Sequence, residues 1–308
     1  MSETQRICAS RKTMAMVPLE GISVSASGTT RLYGIMGSPI AHSLSPMMQT
    51  FAFQQQHLDC VYLPFLVAPE RLAAAVAGAV ALGVYGFNVT IPHKEAIMAH
   101  LDDIAPAARA IGAVNTVHVQ DGKTMGYNTD GEGFLQPLHA LHLPFRTTTT
   151  CMLGAGGAAR AVAMALLEAG CPVLVLANRT YERAAHLVAI LQEHFPQAQV
   201  RAVPLAQVAP AARQSGLLIN ATSVGLHDAS EALVPDTCFH PDQVVYDLVY
   251  RPLYTPLLQV AQRRGATIVP GLDMLIGQGA AAFQIWTGVP FPVEAVRRLL
   301  QPFFTAAS

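Results

Sequence analysis

The stretch from Thr150 to Arg160 constrains this chain more than any other. An apolar run through Cys151, Met152 and Leu153 ends in Gly154-Ala155-Gly156-Gly157-Ala158-Ala159-Arg160, and a small-residue helical pattern follows through Ala161, Val162, Ala165 and Leu166. That order reads as strand, tight turn, helix. Gly154, Gly156 and Ala159 fit the G-x-G-x-x-G/A spacing of a dinucleotide-binding turn. The first glycine permits the turn, and the second lets the backbone approach a pyrophosphate. The third small residue lets helix and strand pack closely, and the helix N-terminus then faces the anion with free N–H groups. Ala155, Gly157 and Ala158 belong to the same cradle.

The chain around the loop supports that reading. Residues 151–153, 173–177, 200–203, 217–220, 244–248 and 267–269 are short apolar runs separated by helix-sized segments. Near-continuous apolar strands of this kind indicate an α/β fold with a parallel sheet covered on both faces. With 308 residues the chain has room for two domains. Charged residues are 13% of it, against about 25% in an average soluble protein, which indicates a large core. The net charge of −1 gives no electrostatic case for nucleic acid. No run approaches the roughly 18 apolar residues of a membrane span. Five scattered cysteines without a C-x-x-C pair point to reduced thiols in a cytoplasm. The histidines form no ligand cluster, so no metal site is expected. Residues 1–30 mix charge with serine and threonine and lack an apolar h-region, and are expected to be a mobile extension.

The first half is also α/β. Residues 31–37, 61–67 and 86–91 read as strands, with helices over 46–56 and 70–82. Ser45 is expected to cap the first of these helices, with Pro46 at its first position. Two short helical pieces are expected at 94–100 and 103–110. A β-hairpin spans 113–120 and 124–128 around the turn signal Asp121-Gly122. A helix over 130–141 leads to the glycine loop, and two helices, 271–287 and 293–304, close the chain.

The strand ends carry the chemistry. After the second strand of the nucleotide unit come Asn178, Arg179 and Thr180, with Arg183 one turn on. An NAD-binding unit usually has an acid at this tip for the ribose 2′-OH. Here the acid is missing and a guanidinium stands beside the tip, which suits a 2′-phosphate and therefore NADP. The plain alternative is a solvated arginine at a helix start. Ser43 and Ser45 flank Leu44, so in an extended segment both hydroxyls would face one side. Two such hydroxyls could bind a carboxylate or could simply be turn and cap residues. Asn88 and Thr90 share a strand face, and Pro92 ends the strand to present Lys94. Asn115 and Thr116, then Asn128, Thr129 and Asp130, end strands in amides, hydroxyls and a carboxylate. A ligand rich in hydroxyls would need that inventory.

Taken together, Ser43-Leu-Ser45-Pro46, Asn88-Val-Thr90-Ile-Pro92-His-Lys94, Ala113-Val-Asn115-Thr116, Asn128-Thr129-Asp130-Gly131 and the loop from Gly154 to Arg160 resemble the motif series of the shikimate dehydrogenase family. Asn220-Ala-Thr-Ser-Val-Gly225, Asp247-Leu-Val-Tyr250 and Gly271-Leu-Asp-Met274-Leu-Ile-Gly-Gln278 continue it, in order, from about residue 31 to 304. The resemblance implies a substrate domain (31–130 and 271–308) and an inserted Rossmann-type NADP domain (131–270), with the active site in the cleft between them. Carried over, Lys94 and Asp130 would be the catalytic pair. Ser43 and Ser45 would hold the substrate carboxylate with Tyr250 nearby, and Asn88, Thr90, Asn115, Asp130 and Gln278 would meet the ring hydroxyls. The cofactor would lie on the glycine loop, Asn178, Arg179, Thr180, Arg183, Thr222, Leu248 and Gly271, with Met274 near the nicotinamide.

The reaction so implied is reversible NADPH-dependent reduction of 3-dehydroshikimate to shikimate, in the pathway to chorismate and the aromatic amino acids. One departure is visible. Gln49-Thr50 stands where the family commonly has His-Asn, inside the helix after Ser45, where little effect on chemistry is expected. A quinate/shikimate dehydrogenase of broader substrate or NAD use, and a non-catalytic NADP-binding regulator on the same fold, are the rival readings. A hydroxyl at Ser45 and an arginine in place of the acid favour shikimate and NADP over the first. Retention of both Lys94 and Asp130 disfavours the second. A monomer and a homodimer are both compatible with the sequence.

Overall fold

A computed structural model describes residues 26–225 and 233–305. Two six-stranded sheets organise the chain. The first contains β1 (Arg31–Gly37), β2 (Cys60–Leu66), β3 (Gly86–Val89), β4 (Asp103–Ile104), β5 (Thr116–Gln120) and β6 (Lys123–Tyr127), in the order β2-β1-β3-β5-β6-β4. Strand β1 pairs in parallel with β2 and β3, while β5 runs antiparallel to both β3 and β6. The C-terminal ends of β1, β3 and β6 therefore meet the N-terminal end of β5 along one edge. Helix α1 (Ser45–Gln55) packs on one face with Tyr33, Ile35, Phe53 and Tyr62. Helix α2 (Leu72–Ala81) covers the other face with Met36, Phe87 and Val117. A short α3 (Pro106–Ile111) precedes the hairpin, whose Asp121 and Gly122 both have positive φ, 52° and 74°. That is the backbone expected of an Asp-Gly hairpin turn.

The second sheet is wholly parallel, in the order β12-β11-β10-β7-β8-β9. Its strands are β7 (Thr149–Leu153), β8 (Val173–Asn178), β9 (Gln199–Pro204), β10 (Leu217–Asn220), β11 (Val244–Asp247) and β12 (Thr267–Pro270). Between β6 and β7 lies α4 (Asp130–Ala140); α5 (Gly157–Glu168), α6 (Tyr181–His194), α7 (Ala209–Gln214) and α8 (Pro256–Arg263) make the crossovers. Met152, Leu174 and Ile219 pack one way, against α4, α5 and α6. Leu153, Val175 and Leu218 pack the other way, against α7 and α8. Both faces are dry, which explains the near-continuous apolar strands. Strand order reverses between β7 and β10, the crevice where an open α/β sheet binds its ligand.

The chain leaves the first sheet through α4 and returns from the second through α9 (Gly271–Thr287). Phe283 and Trp286 of α9 pack in the first sheet's core. The α10 (Val293–Leu300) and α11 (Pro302–Thr305) helices follow. Helices α4 and α9 touch backbone to backbone: a Cβ at Gly133 would lie 2.3 Å from the Gln278 main-chain nitrogen. Any larger residue at Gly133 would push Gln278 and its helix away from Asp130.

Several expectations need correction. Helix α1 begins at Ser45, with Leu44 as its N-cap and no side-chain capping bond. Leu44 is buried in the core in an αR conformation (φ −86°, ψ −9°), so the segment is not extended and the two serines do not share a strand face. Ser43 Oγ instead accepts from the Ser45 N–H at 3.2 Å. Asp103 and Ile104 are strand, pairing with Met125 and Gly126, because the helix starts only where Pro106 fixes φ. The piece expected over 94–100 is a single 3₁₀ segment, Ala96–His100, and leaves Lys94 outside any helix. The last expected helix is interrupted ahead of Pro302. Of the expected extension, residues 1–25 lie outside the described residues. Its end is tied down: the Thr29 and Thr30 hydroxyls donate to the Asp59 carboxylate at 2.7 and 2.6 Å.

Candidate active site

The shared edge of the first sheet collects the polar residues. Asn88 and Thr116 sit directly opposite each other on β3 and β5. Asn115 precedes β5, and Asn128 and Thr129 follow β6. Lys94 is held there by its main chain, since its carbonyl accepts from the Val114 N–H at 2.8 Å. Its ammonium donates to Asp130 Oδ2 at 2.5 Å, with the two side chains 15% and 5% exposed. The pair is thus largely removed from water, where charge–charge interactions are strong. Asp130 Oδ1 accepts from Asn115 Nδ2 at 2.7 Å, and the Asp130 N–H donates to Asn128 Oδ1 at 3.0 Å. As the first residue of α4, Asp130 also lies at a helix N-terminus, where negative charge is favoured.

A hydrogen-bond network runs on from this pair. Asn88 Nδ2 donates to the Asn115 carbonyl at 3.1 Å and to Thr116 Oγ1 at 3.0 Å. The Tyr62 hydroxyl donates to Asn88 Oδ1 at 2.7 Å. Lys94, Asn88, Asn115 and Asp130 are therefore one connected cluster. The other substrate candidates stand outside it. Thr90 lies against Gly37 at the end of β1. Gln278 donates to the Leu275 carbonyl of its own helix at 2.8 Å. Burial raises the phenol of Tyr250, opposed by the charge of neighbouring Arg251. Gln49 lies inside α1 as expected, and its amide donates to the Gly279 carbonyl at 2.9 Å, beside Gln278.

The glycine loop faces this cluster across the two sheets. Gly154 has φ +113°, and a Cβ there would sit 2.8 Å from the Ala221 carbonyl oxygen, at the β7/β10 crevice. Gly156, the N-cap of α5, meets nothing within 4 Å, and no side chain caps the helix. Its first N–H groups are left for an anion, with room for the anion to approach. Lys94 lies at the same helix end, because a Cβ at Gly157 would be 3.7 Å from Lys94 Cβ and Cδ. Arg160 of α5 reaches to 3.7 Å from Glu95. At the tip of β8, Asn178 Nδ2 donates to the Thr180 carbonyl at 2.8 Å. Arg179 and Arg183 are exposed, and neither forms an ion pair with a described residue. Thr222 packs against Gly154, and a Cβ at Gly271 would lie 2.4 Å from the Leu248 carbonyl. Met274 is buried in the core beneath. Open glycine backbone, free helix N–H groups and two unpaired guanidiniums fit a dinucleotide with an extra phosphate.

Comparison with known proteins agrees with this geometry. Family models described as the shikimate dehydrogenase substrate binding domain, shikimate/quinate 5-dehydrogenase and the shikimate 5′-dehydrogenase C-terminal domain match residues 35–117, 139–236 and 271–301. A shikimate dehydrogenase (NADP+) of Moorella thermoacetica is 46% identical over 287 residues, covering 92% of this chain and 97% of that protein. The chain belongs to the shikimate dehydrogenase family. Among solved members, a shikimate dehydrogenase in complex with NADP+ superposes with a TM-score of 0.86 at 39% identity, covering 92% of this chain and 99% of that one. The Thermus thermophilus shikimate 5-dehydrogenase in complex with NADP(H) and shikimate gives 0.80 at 40% identity, covering 89% and 99%.

Within the family fold, two features of this chain are not legible in its sequence. One is Tyr62, whose bond to Asn88 crosses the intervening strand β1. The other is Asp247, fully buried at the end of β11. Asp247 Oδ1 accepts from Asn220 Nδ2 at 2.9 Å and the Val249 N–H at 3.0 Å, and Oδ2 from Thr255 Oγ1 at 2.5 Å. Asn220 Oδ1 in turn accepts from Thr222 Oγ1 at 2.7 Å. One carboxylate thus ties the loop carrying Thr222 to the loop carrying Tyr250. Burial pushes the Asp247 carboxyl up to about 6, against the pull of its three donors. A raised carboxyl means the native state holds a proton that the unfolded chain releases near pH 4. Its contribution to stability is therefore full below about pH 4 and is lost as pH rises to about 6. Asp247→Asn keeps the shape without the charge. Its melting temperature relative to the parent should be higher at pH 7.5 than at pH 4.5, by the equivalent of about 1–3 kcal/mol. A difference that does not change between those two pH values would remove Asp247 as a buried titrating group.

Proposed function

We infer that this chain catalyses the reversible, NADPH-dependent reduction of 3-dehydroshikimate to shikimate. The observation that carries the reading is the Lys94–Asp130 pair at 2.5 Å, set beside the N-terminus of the glycine-loop helix. A proton donor and a dinucleotide turn then meet in one cleft. NADPH, when bound on the loop, supplies the hydride for the carbonyl carbon. The protein's part is to hold the substrate and to neutralise the alkoxide that forms. Lys94 does this by hydrogen bonding to the oxygen and passing it a proton; in the oxidative direction it takes the proton back. Asp130 keeps the ammonium in place and, with Asn88, Thr90, Asn115 and Gln278, faces the ring hydroxyls. Ser43, Ser45 and Tyr250 take the carboxylate, and Arg179 with Arg183 takes the 2′-phosphate. The pathway and the four unpaired cysteines among the described residues favour the cytoplasm.

The reading is tested by following absorbance at 340 nm with shikimate or quinate, each against NADP and NAD. Fast reduction with shikimate and NADP alone is the expected result. Comparable rates with quinate or NAD would move the protein to the broader-specificity branch of its family. No turnover from folded protein that still binds NADPH would make it a regulator.

A further inference from the structure

The polarity of the network around Asn88 is not arbitrary. A main-chain carbonyl can only accept and a main-chain N–H can only donate. Because Asn88 contacts the Asn115 carbonyl at 3.1 Å, that end of its amide is the NH2. Its oxygen therefore faces Tyr62, and the Tyr62 hydroxyl at 2.7 Å must be the donor. Burial raises the Tyr62 phenol well above its ordinary value, so the donor proton stays in place. Asn115 is fixed in the same way. Its Oδ1 accepts from the Thr129 N–H at 2.8 Å, which leaves its NH2 for Asp130 Oδ1 at 2.7 Å. Thr116 receives from Asn88 at 3.0 Å and passes its own proton to Asn115 Oδ1 at 2.9 Å. From Tyr62 through Asn88, Thr116 and Asn115, every donor points toward the Asp130 carboxylate. Bonds aligned in one direction polarise one another.

We propose that Tyr62, whose side chain lies in the core of the first sheet, is a positioning residue for the substrate, acting through Asn88. Both Asn88 amide protons are spent on Asn115 and Thr116, and Tyr62 takes one lone pair of Oδ1. What remains for a ligand is the second lone pair of that oxygen. Asn88 therefore offers the ring an acceptor, and the ring hydroxyl it meets must donate. The Asn115 carbonyl sets which end of the amide is which, and the Tyr62 hydroxyl anchors its oxygen end. Without that hydroxyl Asn88 is held from its NH2 side alone and its oxygen is positioned less tightly. The reading rests on the proposed shikimate activity.

The test is a kinetic cycle of Tyr62→Phe, Thr116→Val and the double variant, with Thr116→Ser beside them. Tyr62→Phe and Thr116→Val should each raise the KM for shikimate by about 3- to 10-fold, with a smaller change in kcat and none in the KM for NADP. Because both break one chain, the double variant should be little worse than the poorer single one. Thr116→Ser, which keeps the hydroxyl, should recover most of the loss. Unchanged shikimate KM in both single variants, or losses that simply multiply in the double, would overturn the proposal. So would a lower melting temperature with unaltered kinetics. Should Tyr62→Phe fail to fold, the split between Thr116→Val and Thr116→Ser decides. A parent protein that neither binds nor oxidises shikimate fails the functional reading itself, and the proposal falls with it.

Discussion

Lys94→Ala should lower kcat for shikimate oxidation by about 10²- to 10⁴-fold while changing shikimate affinity far less. The size of the loss follows from what the ammonium is asked to do. In the proposed reaction it stabilises the oxygen as charge develops on it and then carries the proton, and no other ammonium or guanidinium hydrogen-bonds to Asp130 among the described residues. Removing the side chain also leaves a carboxylate that is 4% exposed with Asn115 as its remaining side-chain partner. An unpaired buried charge destabilises the fold, so unfolding would add to any loss of activity in Lys94→Ala. Lys94→Gln separates the two effects. A glutamine amide can still donate to Asp130 but has no transferable proton. Its kcat should fall as far as that of the alanine variant, with a melting temperature closer to the parent. Near-parental turnover in folded Lys94→Gln would remove Lys94 from the acid role.

Much of this site is legible in the sequence because its rules are local. Gly154 needs positive φ, and Asp121-Gly122 turns a hairpin whatever surrounds them. C-terminal strand ends in an α/β sheet gather at one edge, which groups Asn88 with Asp130, whereas Asn115 joins them from the start of β5 because that strand runs antiparallel. Expectation and structure part where tertiary contacts outweigh local preference. Ser45 has the chemistry of an N-cap, but burying Leu44 sets the helix start one residue earlier. Asp103 and Ile104 lie next to a good helix, yet β6 offers them an edge to pair with. Tyr62 could not be found by motif. Its partner Asn88 lies two strands away across β1, and only the register Tyr33↔Tyr62 and Ile35↔Asn88 puts both on one face. Asp247 enters the sequence reading only as the first residue of a motif, and the convergence on it of Asn220 from the neighbouring strand with the Val249 N–H and Thr255 from its own loop is seen only in the fold.

The two arginines at the tip of β8 should decide the choice of cofactor. NADP and NAD differ only at the ribose 2′ position, so the ratio of their kcat/KM values isolates whatever binds there. Arg179 follows the strand and Arg183 lies one helical turn further, at the start of α6. Both are exposed and neither is paired with a described carboxylate, so each guanidinium is available to a phosphate. A charge-assisted hydrogen bond contributes about 1.5–3 kcal/mol, or roughly 10- to 150-fold in affinity. Arg179→Ala should therefore raise the KM for NADP by about 10- to 100-fold, with Arg183→Ala adding to it and NAD kinetics nearly unchanged. Added salt should narrow the gap between parent and variant, because exposed charges are screened within about 10 Å at 0.1 M. If Arg179→Ala weakened NADP and NAD equally, the arginine would be holding the loop or the adenosine. Asn178, whose amide closes the turn onto Thr180, would then be the place to look for selectivity.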